Sequence, residues 1–164
     1  MWNGSGGSWR LARFPEGGRP GPRGEDALRN EAATVRPELP DGWILVTKAD
    51  CPTCRLLAPA IGALRERLEG LAVVNQDGPD FPPVPGVRHD DDLAWSWHLG
   101  VDVVPTLLHR EAGLETRRTE GWDRDAWAAL TGLPELGGGL PERRPGCGSR
   151  TTEPGIRERL VARF

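Results

Sequence analysis

Cys51-Pro52-Thr53-Cys54 places two thiols three positions apart in this 164-residue chain, and the chemistry such a pair performs is thiol–disulfide exchange. The apolar, strand-like run Trp43-Ile44-Leu45-Val46-Thr47 precedes them, and a helix-like run from Arg55 to Leu68 follows. If the strand ends near Lys48 and the helix starts at Cys51 or Pro52, the Cys51 sulfur falls at a helix N-terminus. Free backbone N–H groups and about half a unit of positive dipole charge there favour an anion. Thiolate is the reactive form, and such a position lowers the thiol from about 8.5 into a range of roughly 3.5–7.5. Lys48, three residues upstream, adds to the effect. Pro52 suits the first helical turn because it has no N–H to lose and its φ is already helical. Cys54 lies one turn on, on the same face, near enough to close a disulfide. The expected roles are attack by Cys51 and resolution by Cys54.

Residues of these types also admit other chemistries. A Cys-x-x-Cys pair is also half of a zinc site, but structural zinc takes a second Cys or His pair at regular spacing. His89, His98 and His109 fit no zinc module, and Cys147 stands alone far downstream, so no metal is expected. Asp90-Asp91-Asp92 has the composition of a divalent-cation ligand set and equally that of a helix cap with solvated acids; capping is the preferred reading.

The elements that must position the dithiol follow from periodicity and punctuation. Trp43 to Thr47 is expected to be a buried strand, Pro52 to Leu68 an amphipathic helix bent near Pro59, and Leu71 to Asn75 a strand parallel to the first. The proline-dense stretch Gly78 to Gly86 is expected to be a loop. Leu93 to Leu99 reads as a helix stopped by Gly100. Trp95 and Trp97, two apart, must face different ways, one into the core and one towards solvent. Pro105 to His109 and Glu115 to Thr119 read as an antiparallel pair turning at Ala112-Gly113, followed by a helix from Arg124 to Thr131 capped by Asp123.

Taken jointly, three patterns carry a resemblance: Cys-x-x-Cys-Arg-Leu-Leu-Ala-Pro from Cys51, Gly-Val-x-x-Val-Pro-Thr-Leu-Leu from Gly100, and Glu-Gly-Trp from Glu120 ahead of the last helix. Across Trp43 to Leu133 the chain resembles the thioredoxin-like superfamily. The resemblance implies an α/β thioredoxin-like fold, a central mixed sheet flanked by helices, here with N- and C-terminal extensions. It also implies that Pro105, preceding Thr106, is cis and lies beside the dithiol, and that Val104 pairs with the extended backbone of a disulfide-bearing substrate. Asp50 stands where thioredoxins carry a tryptophan, Pro-Thr where they carry Gly-Pro, and Leu45 or Thr47 where they bury an acid. Thr47 to Cys54 looks instead like a glutaredoxin active-site segment, in which a lysine at the offset of Lys48 lowers the nucleophile's pKa and pairs with the glutathione carboxylate. Lys48 is the only lysine in the chain. Glutathione is therefore a candidate co-substrate, although Gly121-Trp122 replaces the paired glycine of a glutathione site.

Outside that core, residues 1–40 are rich in Gly, Pro, Ser and Arg and read as a partly flexible extension, with a short strand at Ser8 to Phe14 and a helix at Glu25 to Val35. Residues 41–133 form the expected domain. Residues 134–164 read as a Gly/Pro-rich linker to Arg150 and then an amphipathic helix whose apolar positions are Ile156, Leu160, Val161 and Phe164. Cys147, between two glycines, is expected to be exposed, either an incidental thiol or a relay thiol for the dithiol. The tail resembles the junction where thioredoxin-like domains join a larger bacterial protein.

Charge is uneven: 9 Lys and Arg face 16 Asp and Glu over 41–140, whereas the last 24 residues carry 6 against 3. An acidic core argues against nucleic acid as partner, and a basic tail is expected to lie on it through salt-sensitive contacts. No apolar segment near Met1 reaches signal-peptide length and none approaches the ~20 residues of a membrane span, which points to the cytoplasm. A structural disulfide would be kept reduced there, so a dithiol is better explained as catalytic or metal-binding. The expected activity is exchange with protein or low-molecular-weight disulfides, recharged by an external reductant. The alternative is a non-catalytic thioredoxin-like binding module or a metal-binding Cys-x-x-Cys protein.

Overall fold

The structure, a computed structural model, describes residues 36–164; the strand and helix expected within 1–35 lie outside the described residues. Strands β1 (Gly42–Thr47), β2 (Ala72–Asn75) and β3 (Arg88–His89) are parallel neighbours, and β5 (Thr106–Glu111) and β6 (Leu114–Glu120) continue the sheet antiparallel, in the order β3-β2-β1-β5-β6. This is a mixed α/β sheet flanked by helices, consistent with a thioredoxin-like arrangement.

Strand β1 is central, so both of its faces are buried and it reads as an unbroken apolar run. Its period-2 alternation divides the core: Leu45 packs with Leu57, Ile61, Leu64, Val73, Leu107, Trp122 and Trp127 on one face. On the other, Ile44 and Val46 pack with Val74, Trp95, Leu99, Val104 and Leu108, and both Cys51 and Cys54 belong to this second cluster.

The helix after the dithiol is broken where its proline requires. Helix α1 (Pro52–Leu56) ends at Leu57, and α2 (Ala58–Arg67) restarts with Pro59 in its first turn, where the missing N–H is harmless. Between β5 and β6, Ala112 and Gly113 both take positive φ, 50° and 78°, the geometry of a tight hairpin turn matched to strand twist. Helix α3 spans Ala94–His98. Its orphan N–H groups are met from outside: the buried Asp90 carboxylate accepts from Trp95 and Ser96 N–H at 3.0 and 2.8 Å and from the Ser96 hydroxyl at 2.6 Å, while Asp92 accepts from Ala94 N–H at 3.1 Å. Trp95 is buried and Trp97 half-exposed with the Arg157 guanidinium near its ring. Beyond β4 (Val103–Val104) and β7 (Trp122–Asp123), helix α4 (Arg124–Thr131) is capped by Asp123, which accepts from Ala126 N–H at 3.0 Å.

The segment read as a linker is laid onto the domain instead. Leu136 enters the core, β8 (Arg143–Arg144) pairs with β7, and β9 (Cys147–Gly148) pairs antiparallel with β4. A 3₁₀ turn (Arg150–Thr152) leads into α5 (Pro154–Arg163), which buries Leu160 and leaves Val161 62% exposed. Arg163 to Asp92 (3.0 Å) and Arg157 to Asp102 (3.8 Å) are two of the basic-tail contacts that charge distribution anticipated. Both pairs are solvent-exposed and contribute at most about 1 kcal/mol each. Salt is therefore a minor lever on the tail, which buried polar contacts and a covalent bond hold. Among the described residues no helix is long and apolar enough to cross a membrane.

Candidate functional site

The site lies at the C-terminal ends of β1 and β2, where parallel strands deliver their loops. Asp77, just past β2, accepts from the N–H groups of Ala49 and of Asp50, the latter at 3.1 Å, and so fixes the loop that carries Cys51. Cys51 is the N-cap of α1 in extended backbone (φ −139°, ψ 113°), with Pro52 opening the helix. Its sulfur accepts from Cys54 N–H at 3.4 Å and lies 3.7 Å from the Val104 carbonyl oxygen. The bond between Val104 and Pro105 is cis.

Cys51 is disulfide-bonded, and its partner is Cys147, 96 positions away, with Cα atoms 5.9 Å apart. Cys54 is free and buried. This corrects two expectations: the bond seen is not the one between the two thiols of the Cys-x-x-Cys pair, and Cys147 is neither solitary nor fully exposed. Composition led astray because glycine and proline around Cys147 report the lack of helical periodicity, and not the lack of backbone pairing.

Val104 does pair with an extended segment, and that segment is the chain's own: Val104 faces Cys147 and Val103 faces Gly148. Side chains on both flanks hold its backbone. Lys48 Nζ donates to the Gly148 carbonyl at 2.8 Å, and the Thr53 hydroxyl to the Pro145 carbonyl at 2.7 Å. Further on, Gln76, fully buried, donates to the Ser149 hydroxyl at 2.7 Å and accepts from Arg150 N–H at 3.0 Å. Thr151 donates to the Val101 carbonyl at 2.6 Å, and Ser149 N–H to the Asp102 carbonyl at 2.9 Å. Thr106 is brought to the site, but its hydroxyl is turned to the Val103 carbonyl at 2.6 Å. Lys48, Cys51, Cys54, Val104, Pro105 and Cys147 thus meet in one place. Thr53, Gln76, Asp77 and Gly121 complete it. The one signal that marks Gln76 and Asp77 in the sequence is their position as the first polar pair after the parallel strand β2.

Burial pushes the Cys54 thiol up to about 12; hydrogen bonding and charge from Lys48 oppose the rise, and Asp77 reinforces it. Cys54 is therefore a neutral thiol at physiological pH. Below 9.0 it is protonated in both the folded and the unfolded chain. Between 9.0 and about 12 the unfolded chain loses the proton that the folded chain retains, so stability falls as pH rises. Chemical denaturation of a Cys51→Ser/Cys147→Ser variant, in which no disulfide can rearrange, should show stability dropping above pH 9 by roughly 1.4 kcal/mol per pH unit more than in the same variant carrying Cys54→Ala. Parallel pH profiles would show that Cys54 is not buried as described.

No protein-family model matches the chain, and no curated protein is similar to it.

Proposed function

We propose that this chain is a thiol–disulfide oxidoreductase of the thioredoxin-like superfamily, with Cys51 as nucleophile. One observation carries the reading: Cys51, at a helix start beside Pro105, is covalently joined to a cysteine presented on a strand that pairs with Val104. That is the arrangement of a nucleophile caught on an extended disulfide substrate, with the chain's own tail in the substrate's place. In the working cycle the Cys51 thiolate attacks an accessible disulfide, one sulfur of that disulfide leaves as thiolate, and a mixed disulfide forms on Cys51. Cys54 attacks the Cys51 sulfur, its proton passing to the departing sulfur, so that the second half of the substrate leaves as a thiol and Cys51–Cys54 closes. Cys147 acts as a third exchange thiol: its thiolate attacks the Cys51 sulfur of the Cys51–Cys54 disulfide, Cys54 leaves as the free thiol, and Cys51–Cys147 is the resting bond. An external dithiol or glutathione returns the electrons. Glutathione competes with the tail for Lys48, whose ammonium now meets the Gly148 carbonyl. The setting is cytoplasmic, where a persistent disulfide is more readily explained as exchanging than as a staple.

A second reading has its own observation. Cys51 is 0% exposed, covered by the tail, as in a module whose disulfide pins the tail and does no chemistry. Equilibration against defined glutathione ratios, acid quenching, alkylation and disulfide mapping separate the two. Exchange is expected to show Cys51–Cys147, Cys51–Cys54 and the reduced chain interconverting within the glutathione range. Structural disulfides resist it, with potentials below about −300 mV. A Cys51–Cys147 bond that survives the most reducing ratio, with Cys51–Cys54 never formed, overturns the proposal.

A further inference from the structure

We propose that the groove between β4 and Gly121 selects disulfide-bearing peptide segments in which the residue just before the cysteine is glycine, the segment 145–148 being the chain's own copy of such a ligand. The inference rests on the exchange activity proposed above and specifies its substrate.

Space at Gly146 is what demands it. A Cβ on Gly146 would lie 2.7 Å from the Val104 carbonyl oxygen, 2.4 Å from Val103 Cγ1 and 3.2 Å from the Gly121 Cα. Two of those three neighbours are backbone atoms that cannot step aside. Gly146 does not have positive φ, so a left-handed backbone is not what calls for glycine there. Opposite it, Gly121 takes φ +68°, and a Cβ on Gly121 would in turn lie 2.8 Å from the Gly146 nitrogen. The two glycines let two backbones approach at the step just ahead of the reacting cysteine.

Neighbouring positions make no such demand. A Cβ on Gly148 would meet only Thr152 Oγ1, at an ordinary 3.5 Å. Lys48 and Thr53 bond the carbonyls of Gly148 and Pro145, which every residue type supplies. The groove therefore reads shape at one position and bare backbone on either side of it, the pattern of strand addition.

The test uses the full chain with Cys147→Ser, fully reduced, and three capped peptides: Arg-Pro-Gly-Cys-Gly-Ser, the same with alanine before the cysteine, and the same with alanine after it. Each is joined through its cysteine to 2-nitro-5-thiobenzoate. The Cys51 thiolate attacks the peptide sulfur, the peptide–Cys51 bond forms, and the coloured thiolate leaves with the electron pair. Cys54 then closes Cys51–Cys54, its proton passing to the peptide sulfur, which leaves as a thiol, so the dithiol loses two electrons and the peptide disulfide gains them. Each rate is divided by that of the same peptide with free glutathione, and the tail competes equally with all three. Glycine before the cysteine is expected to react about tenfold or more faster than alanine there, the scale of overfilling a packed site. Alanine after the cysteine is expected to stay within about twofold of glycine. Equal rates for all three overturn the selectivity and leave exchange standing. No release above the glutathione control with any peptide overturns both.

Discussion

Cys51→Ser should abolish disulfide reduction, lowering turnover of insulin or of a glutathionylated protein by roughly 10³-fold or more, as loss of a nucleophile does. A serine hydroxyl is ionised negligibly at neutral pH, and no other sulfur can replace the lost one: Cys54 is buried and protonated, and Cys147 sits on the tail. The same substitution leaves Cys147 unpaired, so thiol counting on the air-oxidised protein should rise from one free thiol to two. Cys54→Ser acts differently. It keeps the first attack, accumulates mixed disulfides on Cys51, and leaves Cys51–Cys147 as the resting bond. Retention of parental activity by Cys51→Ser would end the assignment of the nucleophile, and an inactive parent would favour the binding module.

The contrast between the two cysteines of the disulfide shows how much of the site was legible in the sequence. Cys51 was readable because its position depends on local signals: an apolar strand before it, a proline in the first helical turn, and a break at Pro59. The hairpin at Ala112-Gly113 and the Asp123 cap were readable for the same reason. Cys147 was not, because its partner lies 96 residues away and is reached by main-chain pairing, which leaves no hydrophobic pattern. Gln76 was marked only by its place after β2, and that position acquires meaning only when Ser96 and the adjacent tail residues Ser149 and Arg150, from two separate segments, converge on it. Lys48 bears on the Cys54 thiol through hydrogen bonding and charge, and its ammonium donates to the Gly148 carbonyl of the tail, a contact that no local pattern announces.

The wall of the groove is held from the opposite face of the sheet, and Trp127→Ala should expose this. Trp127 is completely buried in α4, packs edge-on against Trp122 with ring centroids 5.2 Å apart, and donates its indole N–H to the Gly121 carbonyl at 2.9 Å. Removing it leaves a large cavity beside Leu45 and Leu107, at an expected loss of about 3–5 kcal/mol in denaturant unfolding. Trp127→Phe refills most of the volume but strands the Gly121 carbonyl, for a loss nearer 1–2 kcal/mol. Gly121 is also the residue that faces Gly146, so the milder variant carries a second readout that packing alone would not move. Freed of its anchor, the Gly121 backbone can retreat, and the preference for glycine over alanine ahead of the substrate cysteine should shrink while glycine-peptide exchange persists. A Trp127→Phe protein with full stability and undiminished selectivity would show that the indole hydrogen bond neither supports the core nor sets the width of the groove.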